Sequence, residues 1–175
     1  MLVPLRVRNL TRLGVCDIMA SPVHTLELKI PPVALAVIVA LTMWGASLVS
    51  PAIRLPFAAR AIAAAVFALM GSGISLAGVA AFRRAKTTVN PTMPGSASTL
   101  VRSGIYRVSR NPMYLGFLLI LLGWAAFLAS PVALILVGSF VIYMNAFQIR
   151  AEERALTAIF GNQFAEYTAD VRRWL

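Results

Sequence analysis

From Asn111 to Ile149 the chain carries no aspartate, glutamate, lysine or arginine. A soluble domain has about one charged residue in four, so a charge-free run of 39 residues excludes an ordinary soluble surface. The run is long enough for two bilayer-spanning helices of about 20 residues each. Ala129-Ser130-Pro131 lies near its middle, and proline there favours a turn and can begin the next helix. The reading is therefore two spans, at about 113–129 and 131–149, joined by a very tight hairpin. Two more apolar blocks precede them, at about 30–50 (between Lys29 and Arg54) and 61–82 (between Arg60 and Arg83). With 59% hydrophobic and 13% charged residues, the pattern predicts an all-α integral membrane protein with four transmembrane helices.

Charge gives this arrangement an orientation. Four basic residues precede span one, two lie between spans one and two, and six lie between spans two and three. The last hairpin has none and the tail has four. One side thus collects fourteen of the sixteen basic residues. The positive-inside rule places that side, with both termini and the long central loop, in the cytoplasm. The basic residues behind the net charge of +10 are spread along membrane edges. Nucleic-acid binding needs a basic patch on a folded polar surface and is not expected.

Cys16 is the single cysteine and His24 the single histidine. An intramolecular disulfide is excluded, and no metal site is expected, since no Cys/His cluster exists. Residues 1–28 read as a flexible segment before a membrane domain over 29–175. Arg6, Arg8 and Arg12 precede only a short, broken apolar stretch, which argues against a cleaved signal peptide, and Met19 is an alternative start.

In span two, Gly71, Ser75 and Gly78 share one helix face. Small residues there let membrane helices approach closely, within one chain or between two. GSGISLAG is not a dinucleotide loop, because Leu76 stands in place of the third glycine and no strand precedes it. The central loop, 83–112, is rich in Pro, Gly, Ser and Thr and reads as a structured connection. After span four, QIRAEERALTAIFG continues as a helix ended by Gly161. Asn162 can cap a further helix, whose apolar face would comprise Phe164, Tyr167, Val171 and Trp174. This C-terminal cytoplasmic amphipathic helix would lie on the membrane or on the loop.

Two polar elements remain. Asn145, Gln148 and Glu152 fall at i, i+3, i+7, a stripe that should face protein or a water-filled pocket because lipid penalises it. Glu152 and Glu153 follow the last span, where pairing with interfacial arginines is the simplest role. Arg110-Asn111-Pro112 opens span three, where proline suits the first turn and asparagine can cap it. A helix N-terminus beside an arginine also makes an anion site. The tight hairpin makes spans three and four antiparallel neighbours, so both elements share one membrane face. Charges of both signs in one pocket suit a zwitterionic ligand.

GIYRVSRNPMYLG followed by AEERALTAIFGNQFAEYTADVRRWL resembles the isoprenylcysteine carboxyl methyltransferase and phospholipid methyltransferase superfamily, in its bacterial branch. The motifs are G-x-Y-x-x-x-R-[HN]-P-x-Y-x-G and E-E-x-x-L-x-x-x-F-G, and the resemblance covers about 83–175. Thr87-Thr88-Val89 and Pro91 also fit. The resemblance implies a small membrane enzyme of the bacterial inner membrane that uses S-adenosyl-L-methionine. It implies a cofactor site of Leu100, Gly104, Tyr106, Arg110, Asn111, Pro112, Tyr114, Glu152 and Glu153; the polar stripe adds Gln148, and the reaction type makes Arg110 and Glu153 the expected catalytic pair. Three positions depart from the pattern. Asn111 stands where the eukaryotic enzymes have histidine, Ile105 where proline is frequent, and Phe164 where tyrosine is frequent. Asparagine carries no titratable proton, which disfavours a general base at 111.

Methyl transfer from a sulfonium is an in-line displacement at an activated carbon, so positioning and electrostatics carry it. Arginine would hold a carboxylate nucleophile, whereas an amine would need Glu152 or Glu153 as proton acceptor. The expected function is methyl transfer to a lipophilic acceptor (an isoprenoid, lipid or carboxylate-bearing small molecule) at the cytoplasmic membrane face. Two rivals stand: a nicotinamide-dependent membrane reductase and a non-catalytic small membrane scaffold. Acceptor and oligomeric state do not follow from the sequence.

Overall fold

The computed structural model describes residues 27–85 and 99–175. The readings for residues 1–26, including Cys16, Met19 and His24, and for the Thr87–Pro91 stretch lie outside the described residues. The described part is all-helical. Helices α1 (Pro32–Val49), α2 (Phe57–Arg84) and α3 (Pro112–Leu128) are followed by α4 (Pro131–Tyr143). A π-helical segment, Met144–Ile149, joins α4 without a break to α5 (Arg150–Phe160), and α6 (Asn162–Asp170) follows. A short 3-10 turn, Gly104–Arg107, precedes α3.

Among the described residues, three helical stretches are long and apolar enough to cross a membrane: Pro32–Val49, Phe57–Arg84 and the continuous Pro131–Phe160. The chain is thus an integral membrane protein by helix length and composition. The third apolar segment forms α3, with the 17 residues its expected bounds implied, shorter than these three. Span two is longer than expected, running through both flanking arginines, Arg60 and Arg83.

The hairpin between α3 and α4 consists of Ala129 and Ser130 alone. Ala129 adopts a left-handed conformation with φ 49°, and its carbonyl accepts from the Ile53 amide at 2.7 Å. The Ser130 hydroxyl accepts from the Ala133 amide at 3.3 Å, capping α4, and Pro131 takes the first helical position. These residues turn the chain back within two positions.

The small-residue face of α2 packs within the chain, against α3. A Cβ on Gly71 would strike the Gly116 carbonyl and sit 2.9 Å from Ile120. One on Gly78 would sit 2.9 Å from Met113, and one on Gly123 would sit 2.8 Å from the Phe67 side chain. The matched order, 78 with 113, 71 with 116 and 67 with 123, makes α2 and α3 antiparallel along their length. The Ser75 hydroxyl donates to the Met113 carbonyl at 3.2 Å. In lipid, helix association draws on such close van der Waals contact and hydrogen bonds because burial of apolar surface gives little. The opposite face of α2, with Ile62, Leu69 and Leu76, is exposed and suits lipid.

On the other side α1, α3 and α4 share a core of Leu35, Val39, Met43, Leu121, Val137 and Phe140. Trp124 bridges it, its indole donating to the Ala40 carbonyl at 3.1 Å.

Gly161 separates α5 from α6 with φ 50° and ψ −121°, a backbone region open to glycine but strained for other residues. Gly161→Ala is expected to destabilise the corner by about 1–3 kcal/mol, measured as earlier thermal unfolding in detergent. The expected side-chain cap by Asn162 is not formed; Asn162 is already the first residue of α6. The amphipathic face is also shorter than its sequence spacing implied. Phe164 and Tyr167 are buried on α6, but the helix ends at Asp170 and Val171 is extended. Val171 and Trp174 therefore belong to the segment after the helix, because the chain turns back to meet α3.

Candidate active site

The start of α3 and the α4–α5 helix meet at one end of the bundle, where the two polar elements converge. Tyr114, on the first turn of α3, is 4% exposed, and its hydroxyl donates to Glu152 Oε1. Gln148 Nε2 donates to the same oxygen at 2.6 Å, and Gln148 is 1% exposed. Both donors reach Oε1 and leave Oε2 for another partner. The π-helical segment widens one turn of the helix that carries Gln148 and Glu152. Such segments recur at functional sites.

Asn145, the third member of the stripe, accepts at Oδ1 from the Trp174 indole at 3.2 Å. The whole stripe faces protein, as its cost in lipid requires.

Glu153 points to a second set of partners. Arg173 reaches it with two bonds, Nε to Oε1 at 3.1 Å and Nη2 to Oε2 at 2.6 Å. Arg110 Nη2 lies 3.4 Å from Oε1. Arg110 is largely buried, and its Nε has no partner among the described residues. Arg154, the residue after Glu153 on the helix, instead pairs with Glu27. The simple pairing role thus holds for Glu153 with other arginines, while no arginine pairs with Glu152 among the described residues.

Tyr106 lies on the 3-10 turn, 5% exposed, edge-on to Phe82 with ring centroids 5.3 Å apart. Burial raises its phenol well above the ordinary range, with Tyr167 and the Glu152 carboxylate adding to the effect. The Tyr167 hydroxyl donates to the Tyr106 carbonyl at 2.7 Å, which clips α6 to the turn. Burial pushes the Tyr167 phenol up to about 12, against the pull of Arg110 and Arg102. Both phenols are neutral at physiological pH, and the Tyr167 hydroxyl is already committed to the Tyr106 carbonyl.

The remaining expected site residues have structural partners. Gly104 opens the 3-10 turn with φ 62°, a conformation glycine adopts without strain. Leu100 is half-buried beside Val101, which packs with Tyr106 and Ala81. Pro112 is buried and packs under Gly78 of α2. The expected cap by Asn111 is absent. Its backbone amide instead donates to the buried Ser109 hydroxyl at 3.1 Å, and its Nδ2 to the Arg173 carbonyl at 2.9 Å. Tyr106, Arg110, Tyr114, Gln148, Glu152 and Glu153 are thus brought together, with Asn111 tied to the segment after α6.

Arg173 and Tyr167 were not expected at the site. Tyr167 was expected only on the apolar face of the last helix. The signal was their place in the quoted stretch ending RRWL, which carries the resemblance through to its last residues.

A profile of the phospholipid methyltransferase family matches residues 59–163. An uncharacterised protein of Haemophilus influenzae is 44% identical over 63 residues, which are 36% of this chain and all of that protein. Protein-S-isoprenylcysteine O-methyltransferase B of Arabidopsis thaliana is 36% identical over 72 residues, 41% of this chain and 36% of that enzyme. The Saccharomyces cerevisiae protein-S-isoprenylcysteine O-methyltransferase is 34% identical over 79 residues, 43% of this chain and 32% of that enzyme. The matched segment thus spans about a third of each of these two enzymes. No solved structure matches the chain. With more than half of its length matched by the profile, and the motif-bearing helices meeting at one site, the chain belongs to the phospholipid methyltransferase family, within the superfamily that includes the isoprenylcysteine methyltransferases.

Proposed function

We propose that the chain transfers a methyl group from S-adenosylmethionine to a lipophilic acceptor at the cytoplasmic face of a bacterial inner membrane. The observation that carries this reading is the convergence, at the seam between α3 and α5, of Tyr114 on Glu152 and of Arg110 on the neighbouring Glu153. Arg110 has a buried Nε without a partner among the described residues, a donor suited to a carboxylate. Glu152 has an oxygen left over by Tyr114 and Gln148, an acceptor suited to an ammonium group. These are complementary to the amino-acid end of the cofactor, which when bound supplies the activated methyl group.

The chain's own residues then position and exclude water. Tyr114 and Gln148 hold the Glu152 carboxylate, and the buried Tyr106 phenol lies close enough to feel its charge. Among the expected acids, Glu152 is the better proton acceptor for an amine nucleophile, because both Glu153 oxygens are already bound by Arg173. Leu100, Gly104 and Pro112 support the wall through the backbone around Tyr106 and Arg110.

The membrane arrangement supports the reading. The 17 residues of α3 lie at the short end of the range for a span, and the two-residue hairpin forces α3 to run back along α4. We count α3, third in chain order, as a span alongside the other three, which gives four, with 29–175 as one methyltransferase domain. The positive-inside count puts the site and both termini on the cytoplasmic side. A cavity of about 380 Å³ opens between α1, α2 and α3, lined by apolar residues including Ala36, Ala68, Phe117 and Trp124. Its apolar lining supports an acceptor with a hydrocarbon part. A second cavity, of about 430 Å³, follows the outer side of α5 and touches the cluster through Glu153.

Titration of the detergent-purified protein with S-adenosylhomocysteine is expected to give saturable binding. Absence of binding up to about 1 mM ligand overturns the reading. Incubation of a lipid extract with labelled S-adenosylmethionine then identifies the acceptor by its labelled product.

A further inference from the structure

α6 stops at Asp170, and the chain leaves it in an extended conformation at Val171, φ −121° and ψ 131°. Three consecutive residues beyond it attach to three different parts of the fold. The Arg172 carbonyl accepts from the Arg110 amide at 3.1 Å. The Arg173 carbonyl accepts from Asn111 Nδ2 at 2.9 Å, while its guanidinium grips Glu153 through two bonds. The Trp174 indole donates to Asn145, and its ring packs against the core of α1, α3 and α4. Residues 171–175 therefore form a strap across the seam between the start of α3 and the α4–α5 helix.

We infer that Arg173 is a positioning residue of this site, acting through Glu153 to keep Arg110 available for an anion, with Asn111 anchoring the strap. The inference rests on reading the cluster as the methyl-transfer site. Its basis is a competition for one carboxylate. Glu153 sits between two guanidinium groups, and Arg173 takes it with planar two-point geometry, the strongest arrangement such a pair has. Arg110 is left with a single contact at 3.4 Å and a buried Nε that has no partner among the described residues. A buried donor without a partner is costly. Without Arg173, Arg110 has both reason and room to close on Glu153 in the same two-point way. Its donors would then be spent internally and the anion site lost.

The test compares two ligands on one protein. S-adenosylhomocysteine carries a carboxylate and an amino group; 5′-methylthioadenosine keeps the nucleoside and thioether but lacks both. In Arg173→Ala, affinity for S-adenosylhomocysteine is expected to fall by about tenfold to a hundredfold, the range for losing a hydrogen bond to a charged group. Affinity for 5′-methylthioadenosine is expected to stay near that of wild type. Arg173→Lys is expected to recover part of the loss, and Asn111→Ala to show a smaller loss in the same direction. Equal losses for both ligands, or none for either, overturn the inference and reduce the strap to a structural element. If the wild-type protein binds neither ligand, the methyl-transfer reading itself falls and the inference falls with it.

Discussion

Glu152→Gln is expected to weaken S-adenosylhomocysteine binding by about tenfold to a hundredfold and to lower turnover further, with the helices intact. The side chain keeps its shape, and its carbonyl oxygen still accepts from Tyr114 and Gln148. What is lost is the negative charge held between them. A hydrogen bond to a charged group is worth about 1.5–3 kcal/mol, which converts to the stated range in affinity. If the acceptor is an amine, the variant also loses its proton acceptor, a step worth about a hundredfold or more in rate. Calorimetric titration measures the first effect and single-turnover methyl transfer the second. Unchanged cofactor affinity in both Glu152→Ala and Glu153→Ala removes these acids from the site.

Gly116→Ala is expected to be the most damaging single methyl group added to the bundle. The new Cβ would strike the Ser75 hydroxyl and the backbone carbonyl of Gly71. A flexible side chain can move aside, but a helix backbone cannot without separating α2 from α3. Overpacking of a close contact costs about 1–3 kcal/mol when side chains yield, and the backbone clash puts this variant at the top of that range or above. Gly73→Ala is the matched control. A Cβ there meets nothing within 4 Å, and alanine is the better helix former by about 1 kcal/mol. Thermal unfolding in detergent should rank Gly116→Ala well below wild type, with Gly73→Ala at or above it. Equal unfolding temperatures for the two variants would mean that the α2–α3 contact does not hold the bundle together.

The contrast between Gly116 and Gly73 also shows how far the chain can be read without coordinates. The face of Gly71, Ser75 and Gly78 was visible from helical spacing as a close-packing surface. Its partner was not, because spacing describes one helix at a time. The hairpin at Ala129-Ser130 was legible because proline and the charge-free run left no other place to turn. It in turn brought Arg110 to the same end of the bundle as Glu152 and Glu153.

Other errors share a cause. Helical spacing put Val171 and Trp174 on one face with Phe164 and Tyr167, yet the helix ends at Asp170. The bonds that draw the strap away reach residues 29 to 62 positions earlier, at Asn145, Arg110 and Asn111. No local propensity encodes such partners. For the same reason Asn111 looked like a helix cap, whereas its side chain donates to the Arg173 carbonyl.

The amino-acid sequence by itself determined the membrane class, the positions of the apolar helices, the turn between the last two and the two polar segments that meet at one end of the bundle. These follow from hydropathy, charge spacing and turn preference, which act over a few residues to one helix length. Only the tertiary structure decided that Glu152 is held by Tyr114 and Gln148, that Glu153 is taken by Arg173, and that Arg110 keeps a buried donor to spare. Those pairings depend on which side chains meet across the seam of α3, α5 and the strap. That is a matter of packing in three dimensions, to which two neighbouring glutamates in the sequence give no guide.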